Sequence, residues 1–217
     1  VYTIEEIAAA AGGGLFEENI TGGPQSTQRV GSGTATGSPA STVSGGLNNT
    51  ASNYASTVGG GMYNTSSGPG STVGGGGGNT ASNDTSTVGG GYGNISSGYI
   101  STVGGGYRNT ASGDYSTLGG GYNNTASAYI STVGGGYNNN ATSSASTIGG
   151  GLNNTASGNY ASTVSGGVEN TASNIFATVG GGLNNTASST YSTIGGGYGN
   201  ISSGSNSIVG GGRNNTA

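Results

Sequence analysis

The chain has no cysteine, no histidine, no tryptophan and no lysine. Without cysteine there is no disulfide framework and no thiolate chemistry. With histidine and lysine also missing, the usual nucleophile–base pairs cannot be assembled. Charge is equally sparse. Arg29, Arg108 and Arg213 stand against Glu5, Glu6, Glu17, Glu18, Asp84, Asp114 and Glu169, for a net charge of -4. Such a chain has no basic face to meet a polyanion, which argues against nucleic acid as a partner. No apolar run approaches the roughly 20 residues of a membrane-spanning helix, so no membrane insertion is expected. No signal peptide is evident, and the first residue is Val1, which reads as a processed or excerpted chain.

What the chain has in abundance is glycine, 52 of 217 residues, with much Ser, Thr and Asn. That composition alone suggests disorder, and collagen is excluded because Gly does not fall at every third residue. Register overturns the disorder reading. Numbering each unit from the Ser of "STV", position 1 falls at Ser41, Ser56, Ser71, Ser86, Ser101, Ser116, Ser131, Ser146, Ser162, Ala177, Ser192 and Ser207. Every interval is 15 residues except the 16 between Ser146 and Ser162. A linker has no physical reason to hold such a period, whereas stacked coils do, because each side chain lies above its equivalent.

Fifteen residues is too short for a helical hairpin and suits one turn of a β-solenoid. Position 3 is always aliphatic (Val103 and Leu118, for example) and reads as an inward strand residue. Alternation then turns the position 2 threonines outward, as a flat column, and the position 1 serines inward. Positions 5 and 6 are Gly in every unit, reading as tight corners. Position 9 is Asn in every unit: Asn49, Asn64, Asn79, Asn94, Asn109, Asn124, Asn139, Asn154, Asn170, Asn185, Asn200 and Asn215. A column of stacked Asn side chains reads as a structural ladder. Position 11 is small and expected inward, and positions 13–15 vary most and read as an exposed loop. The fold expected is therefore all-β, a parallel β-solenoid of about twelve 15-residue coils over residues 41–217. Residues 1–40 are expected to form a docking or capping segment. Within it, Ile4–Ala11, "IEEIAAAA", is the one good helix-forming stretch.

The stretch "STVGGGYRNTASG", Ser101–Gly113, resembles the head repeats of YadA-type trimeric autotransporter adhesins. There an "S-x-A-I-G" strand alternates with an "A-x-A-S-G" segment; Val103 stands for the Ile, and "NTASG" for the second segment. Similar arrays occur in phage and viral tail-fibre proteins. The resemblance covers roughly residues 41–217. It implies a left-handed parallel β-roll, three chains to a head, that binds host or matrix surfaces at the cell or virion exterior.

The chemistry expected is correspondingly plain. Twelve Gly-rich strings without helices are not phosphate loops. Asp84 and Asp114 are too few for calcium-binding repeats, and two acids two coils apart do not make a glycosidase pair. No catalytic, metal-binding or cofactor-binding residues are expected. The sequence carries N-x-Ser/Thr sequons, of which those at position 8 (Asn48, Asn123, Asn153, Asn184 and Asn214) are the candidate glycosylation sites. The expected partner is a second copy of the chain, as a homotrimer or a head-to-tail filament, with surface glycans or matrix as further partners. For head-to-tail stacking the contact candidates are Val1, Tyr2, Ile4 and Ile7 at one end and Asn214, Asn215, Thr216 and Ala217 at the other, because "VYTI" resembles "TYSTI" (Thr190–Ile194). The function expected is a structural extracellular fibre or adhesin shaft. The alternatives are a carbohydrate-binding module using the loop tyrosines, or an ice-binding one using the threonine column.

Overall fold

Strand formation starts from the Thr–Val dipeptide at positions 2 and 3. In the computed structural model, which describes residues 27–28, 31–35 and 38–217, each such dipeptide pairs in parallel with its equivalent one coil away. Thr102 and Val103 face Thr87 and Val88 on one side and Thr117 and Leu118 on the other. Thirteen of these strands, from Thr27–Gln28 to Ile208–Val209, form one parallel sheet. Positions 10 and 11 form a second, twelve-stranded parallel sheet, from Gly31–Ala35 to Ile201–Ser202. The chain alternates between the sheets, so the fold is a β-solenoid with two sheets per turn. Eleven complete coils run from Ser41, and a twelfth reaches position 11 at Ala217. Both sheets begin before Ser41, within the segment read as a cap. The helix expected over Ile4–Ala11 and the contact candidates Val1, Tyr2, Ile4 and Ile7 lie outside the described residues.

The 16-residue interval does not disturb the stack. Thr147 still pairs with Thr163 and Ile148 with Val164, so pairing follows chemical position rather than residue count. The extra residue is absorbed before Ser162, where Ser144 bridges to Tyr160.

The core is thin. The position 3 aliphatics and the position 11 Ala or Ser residues are buried, along with the position 1 serines. Small residues on one inner face let the strands of the two sheets come within 8 Å, Cα to Cα, closer than the ~10 Å usual for sheets with large side chains on both faces. Backbone hydrogen bonds between coils supply much of the cohesion. In the coil from Ser101, Thr102, Gly104, Tyr107, Thr110 and Ser112 donate N–H to the next coil at 2.8–3.0 Å. Arg108 and Tyr115 instead donate back to Tyr92 and Tyr99 of the previous coil, at 2.9 and 2.7 Å.

That reversal has a conformational cause. Positions 8 and 15 sit in the left-handed region, with φ of 53° at Arg108 and 57° at Tyr115. Isoleucine occupies this region at Ile100 and Ile130, with φ of 52° and 54°, where a β-branched side chain is sterically disfavoured. Position 6 is stricter. Gly106 has φ +91°, and a Cβ there would lie 2.2 Å from the carbonyl oxygen of Gly121. Only glycine lets the coils stack at this corner.

Position 13 departs from the sequence reading. Its variability groups it with the exposed loop, yet Gly68, Gly98, Gly113, Ser143 and Gly158 are buried there. The reason is a backbone turn: the position 1 N–H donates to the position 13 carbonyl, as Ser116 N–H does to Gly113 O at 3.1 Å. The position 13 backbone also stacks directly on its equivalent in the next coil, where a Cβ on Gly98 would lie 2.1 Å from Gly113 O; positions 14 and 15 carry the exposed loop.

Candidate functional site

The solenoid offers two broad faces and two narrow edges, each tiled by repeat positions. On the first face the position 2 threonines point outward beside buried aliphatics, as at Thr102–Val103. On the second face the alternation of "NTAS" turns two positions outward, because Ala at position 11 points in. Position 10 supplies Thr50, Thr65, Thr80, Thr110, Thr125, Thr155, Thr171, Thr186 and Thr216, with Ile95, Asn140 and Ile201 interrupting. Position 12 supplies an unbroken hydroxyl file from Ser52 to Ser203, Thr142 included. Sequence reasoning singled out the first threonine column and missed this double file. The signal was present in the period-2 alternation about Ala111.

Position 7 forms one narrow edge. The Tyr92, Tyr107, Tyr122 and Tyr137 rings stack in a ladder with centroids 5.5, 5.1 and 4.8 Å apart and planes within 13°. Leu47 and Met62 extend the ridge on one side and Leu152, Val168, Leu183 and Tyr198 on the other. Most of these side chains are well exposed, including Tyr92 at 56% and Tyr137 at 49%. A strand residue here would face the core. Position 7 instead follows a left-handed Gly and precedes a left-handed residue, and that corner turns it out. The Arg108 and Arg213 guanidinium groups lie 5.2 Å from the Tyr107 and Tyr198 ring centroids, within cation–π range.

The loop edge carries a second aromatic set. Tyr99 meets Tyr115, and Tyr115 meets Tyr129, edge to face. Phe176 stacks on Tyr191. In the stacked ladder the inner ring faces are taken up by neighbouring rings, so it is mainly the ring edges that face solvent. A sugar-stacking platform needs a free ring face, which the loop-edge aromatics offer better than the ladder does.

Buried along the corner is the Asn file at position 9. The Asn109 N–H donates to Asn94 Oδ1 at 2.9 Å, while Asn109 Nδ2 donates to Gly105 O and Gly121 O, both at 2.9 Å. This pattern recurs from Asn49 to Asn215 and joins each coil to both neighbours. The position 8 sequons lie outside it. Asn48, Asn123, Asn184 and Asn214 are exposed and Asn153 is half-buried. Asn123 Nδ2 donates to Asn138 Oδ1 at 3.0 Å, in a short exposed amide ladder with Asn153. The sequons at Asn64, Asn94 and Asn200 are buried and closed to an attached sugar in the folded chain.

Of the acidic residues, Asp114 serves the loop edge. Asp114 Oδ1 accepts the Tyr99 N–H at 2.9 Å. Among the described residues no group of three or more His, Cys, Asp or Glu is placed to hold a metal ion, and no helix is long and apolar enough to cross a membrane. No protein-family model matches the sequence, and no curated protein matches it.

Proposed function

We propose that the chain is a shaft segment of an extracellular fibre or adhesin, displayed at a cell or virion surface and assembled from copies of itself. The observation that carries this reading is the continuous coil-on-coil parallel pairing of both sheets, in constant register from the Ser41 coil onward. Repeated coils at ~4.8 Å each make a rod on the order of 55–60 Å long, stiffened along its length by the Asn file. The exposed aromatic edges supply lateral contact surface that so thin a core leaves unused. A trimer of parallel rolls, as in the YadA-type head repeats it resembles, and a head-to-tail filament are the two assemblies proposed. Electron microscopy with mass measurement in solution tests this. Short rods in trimers or extended filaments support the reading; compact monomers at every concentration oppose it.

A second reading is favoured by the double hydroxyl file. None of the position 10 threonines has a side-chain partner among the described residues, and of the position 12 hydroxyls only Ser203 has one, to Ala217 O. These groups tile a lattice of about 4.8 Å by about 6.6 Å. Such a plane suits an ordered hydroxyl-rich ligand, ice or a crystalline polysaccharide. Thermal hysteresis and pull-down on insoluble polysaccharide test it, and inactivity in both removes it.

A further inference from the structure

The position 7 ridge is complementary to itself when turned end over end. Counting coils from Ser41 as the first, Arg108 lies in the fifth and Glu169 in the ninth, both exposed at position 8 beside the ridge. Within one chain they are four coils apart, about 19 Å, and cannot meet. In two antiparallel copies related by a two-fold axis at the seventh coil, each Arg108 comes level with Glu169 of the other copy. Such an axis, perpendicular to the rod, also keeps both position 8 files on the same flank of the contact. A two-fold axis along the rod would put them on opposite flanks.

The same operation matches the ridge residues by size. Tyr92 comes level with Leu183, Tyr107 with Val168 and Tyr122 with Leu152, so three of the four ladder rings meet an aliphatic side chain. Gly77, the one gap in the ridge, comes level with Tyr198, and Tyr137 meets its own copy at the axis. The overlap spans eleven of the twelve coils counted from Ser41. A half-exposed Tyr offers about 100 Å², so eleven rungs with their flanking position 8 side chains offer on the order of 800 Å² per copy, the size of a standard interface. Only a partner with the same coil spacing stays in step along such a ridge.

We propose that the position 7 edge is a docking surface for a second copy of this chain, antiparallel, centred on Tyr137 and Asn138 and keyed by two Arg108–Glu169 pairs. The pairing stands independently of the shaft reading, since it needs neither a filament nor a surface.

Sedimentation of the full chain over a concentration series reads the association. Arg108→Glu and Glu169→Arg are each expected to weaken dimerisation about tenfold, and the double exchange R108E/E169R to restore it. Because the chain has no cysteine, single thiols report orientation. Under a mild oxidant Asn138→Cys is expected to give a covalent dimer. Asn184→Cys is not, because its counterpart would lie six coils away, about 29 Å. All four positions are exposed and circular dichroism checks that the variants keep the fold. A monomer at every concentration, a double exchange no better than the single ones, or Asn184→Cys cross-linking as readily as Asn138→Cys would each overturn the proposal. A monomer at every concentration would count against the shaft reading as well, whereas the charge-exchange and thiol results bear on the antiparallel pairing alone, so its failure is distinguishable from that of the shaft.

Discussion

Asn94 Oδ1 accepts the backbone N–H of Asn109 from the next coil at 2.9 Å, and each Asn of the file repeats this for its successor. A side chain thereby does in the corner what the strand ladders do on the faces. Removing the Asn109 rung leaves the Asn124 N–H and Gly105 O without their partner inside the protein, while Gly121 O keeps the Tyr107 N–H. Asn109→Ala is therefore expected to destabilise by about 2–5 kcal/mol, since each of the two orphaned groups costs about 1–3 kcal/mol. Denaturant unfolding measures the loss. Hydrogen exchange is expected to localise it at Asn124 and the coils on either side, because solenoid coils support only their neighbours.

The Gly corner makes a harsher prediction. At Gly106 a methyl group meets the backbone oxygen of Gly121 at 2.2 Å, in a conformation with φ +91°. Gly106→Ala is expected to cost about 3 kcal/mol or more, through strain that the neighbouring backbone cannot relieve. Gly105→Ala is the control, since a Cβ there lies 3.9 Å from its nearest neighbour, the carbonyl oxygen of Gly90, and it is expected to cost far less. Thermal unfolding of the two variants separates glycine needed for space from glycine tolerated for economy.

The position 1 serines differ among themselves. Ser71 Oγ is hydrogen-bonded to Ser66 and Gly68, whereas Ser116 Oγ and Ser146 Oγ are buried without a partner. Ser116→Ala is expected to be neutral or to stabilise by up to about 1 kcal/mol, because the buried hydroxyl contributes only desolvation. Ser71→Ala is expected to destabilise by about 1 kcal/mol by removing the Ser71 Oγ bond to Gly68 O, while the Ser66 hydroxyl keeps the Ser71 backbone carbonyl. The chain itself carries alanine at this position, buried, at Ala177. Paired denaturation curves decide the sign.

Ile100 holds a β-branched side chain at φ 52°, 41% exposed. Ile100→Asn is expected to raise stability by about 1 kcal/mol, since asparagine tolerates the left-handed region that costs other residues about 1–2 kcal/mol. An unchanged or lower melting temperature would show that the exposed isoleucine packs well enough to offset its strain.

Much of this architecture is legible in the residues alone. A strict period, one aliphatic per unit and a Gly pair in every unit leave few alternatives to stacked coils. Inward placement of Val103 and outward placement of Thr102 follow from alternation over two residues. The second strand was harder to see, because Ala111 gives a weak hydrophobic signal and the double hydroxyl file around it went unread. Position 13 is hidden for a similar reason: its burial comes from stacking on the position 13 backbone of the next coil, a contact between residues about fifteen apart that no local pattern encodes.

By itself the sequence determined the solenoid, its register and its lack of Cys, His and Lys, because these follow from period and composition. The tertiary structure decided which side chains face one another across coils. It turned the position 7 tyrosines outward into a stacked ladder, closed the Asn file against glycine carbonyls, and set positions 8 and 15 in the left-handed region with their N–H groups reversed. These outcomes depend on contacts between residues about fifteen apart, where the backbone of one coil constrains the next. The physical reason is that a corner's direction is chosen by the coil stacked on it, and that choice appears only once the coils are stacked.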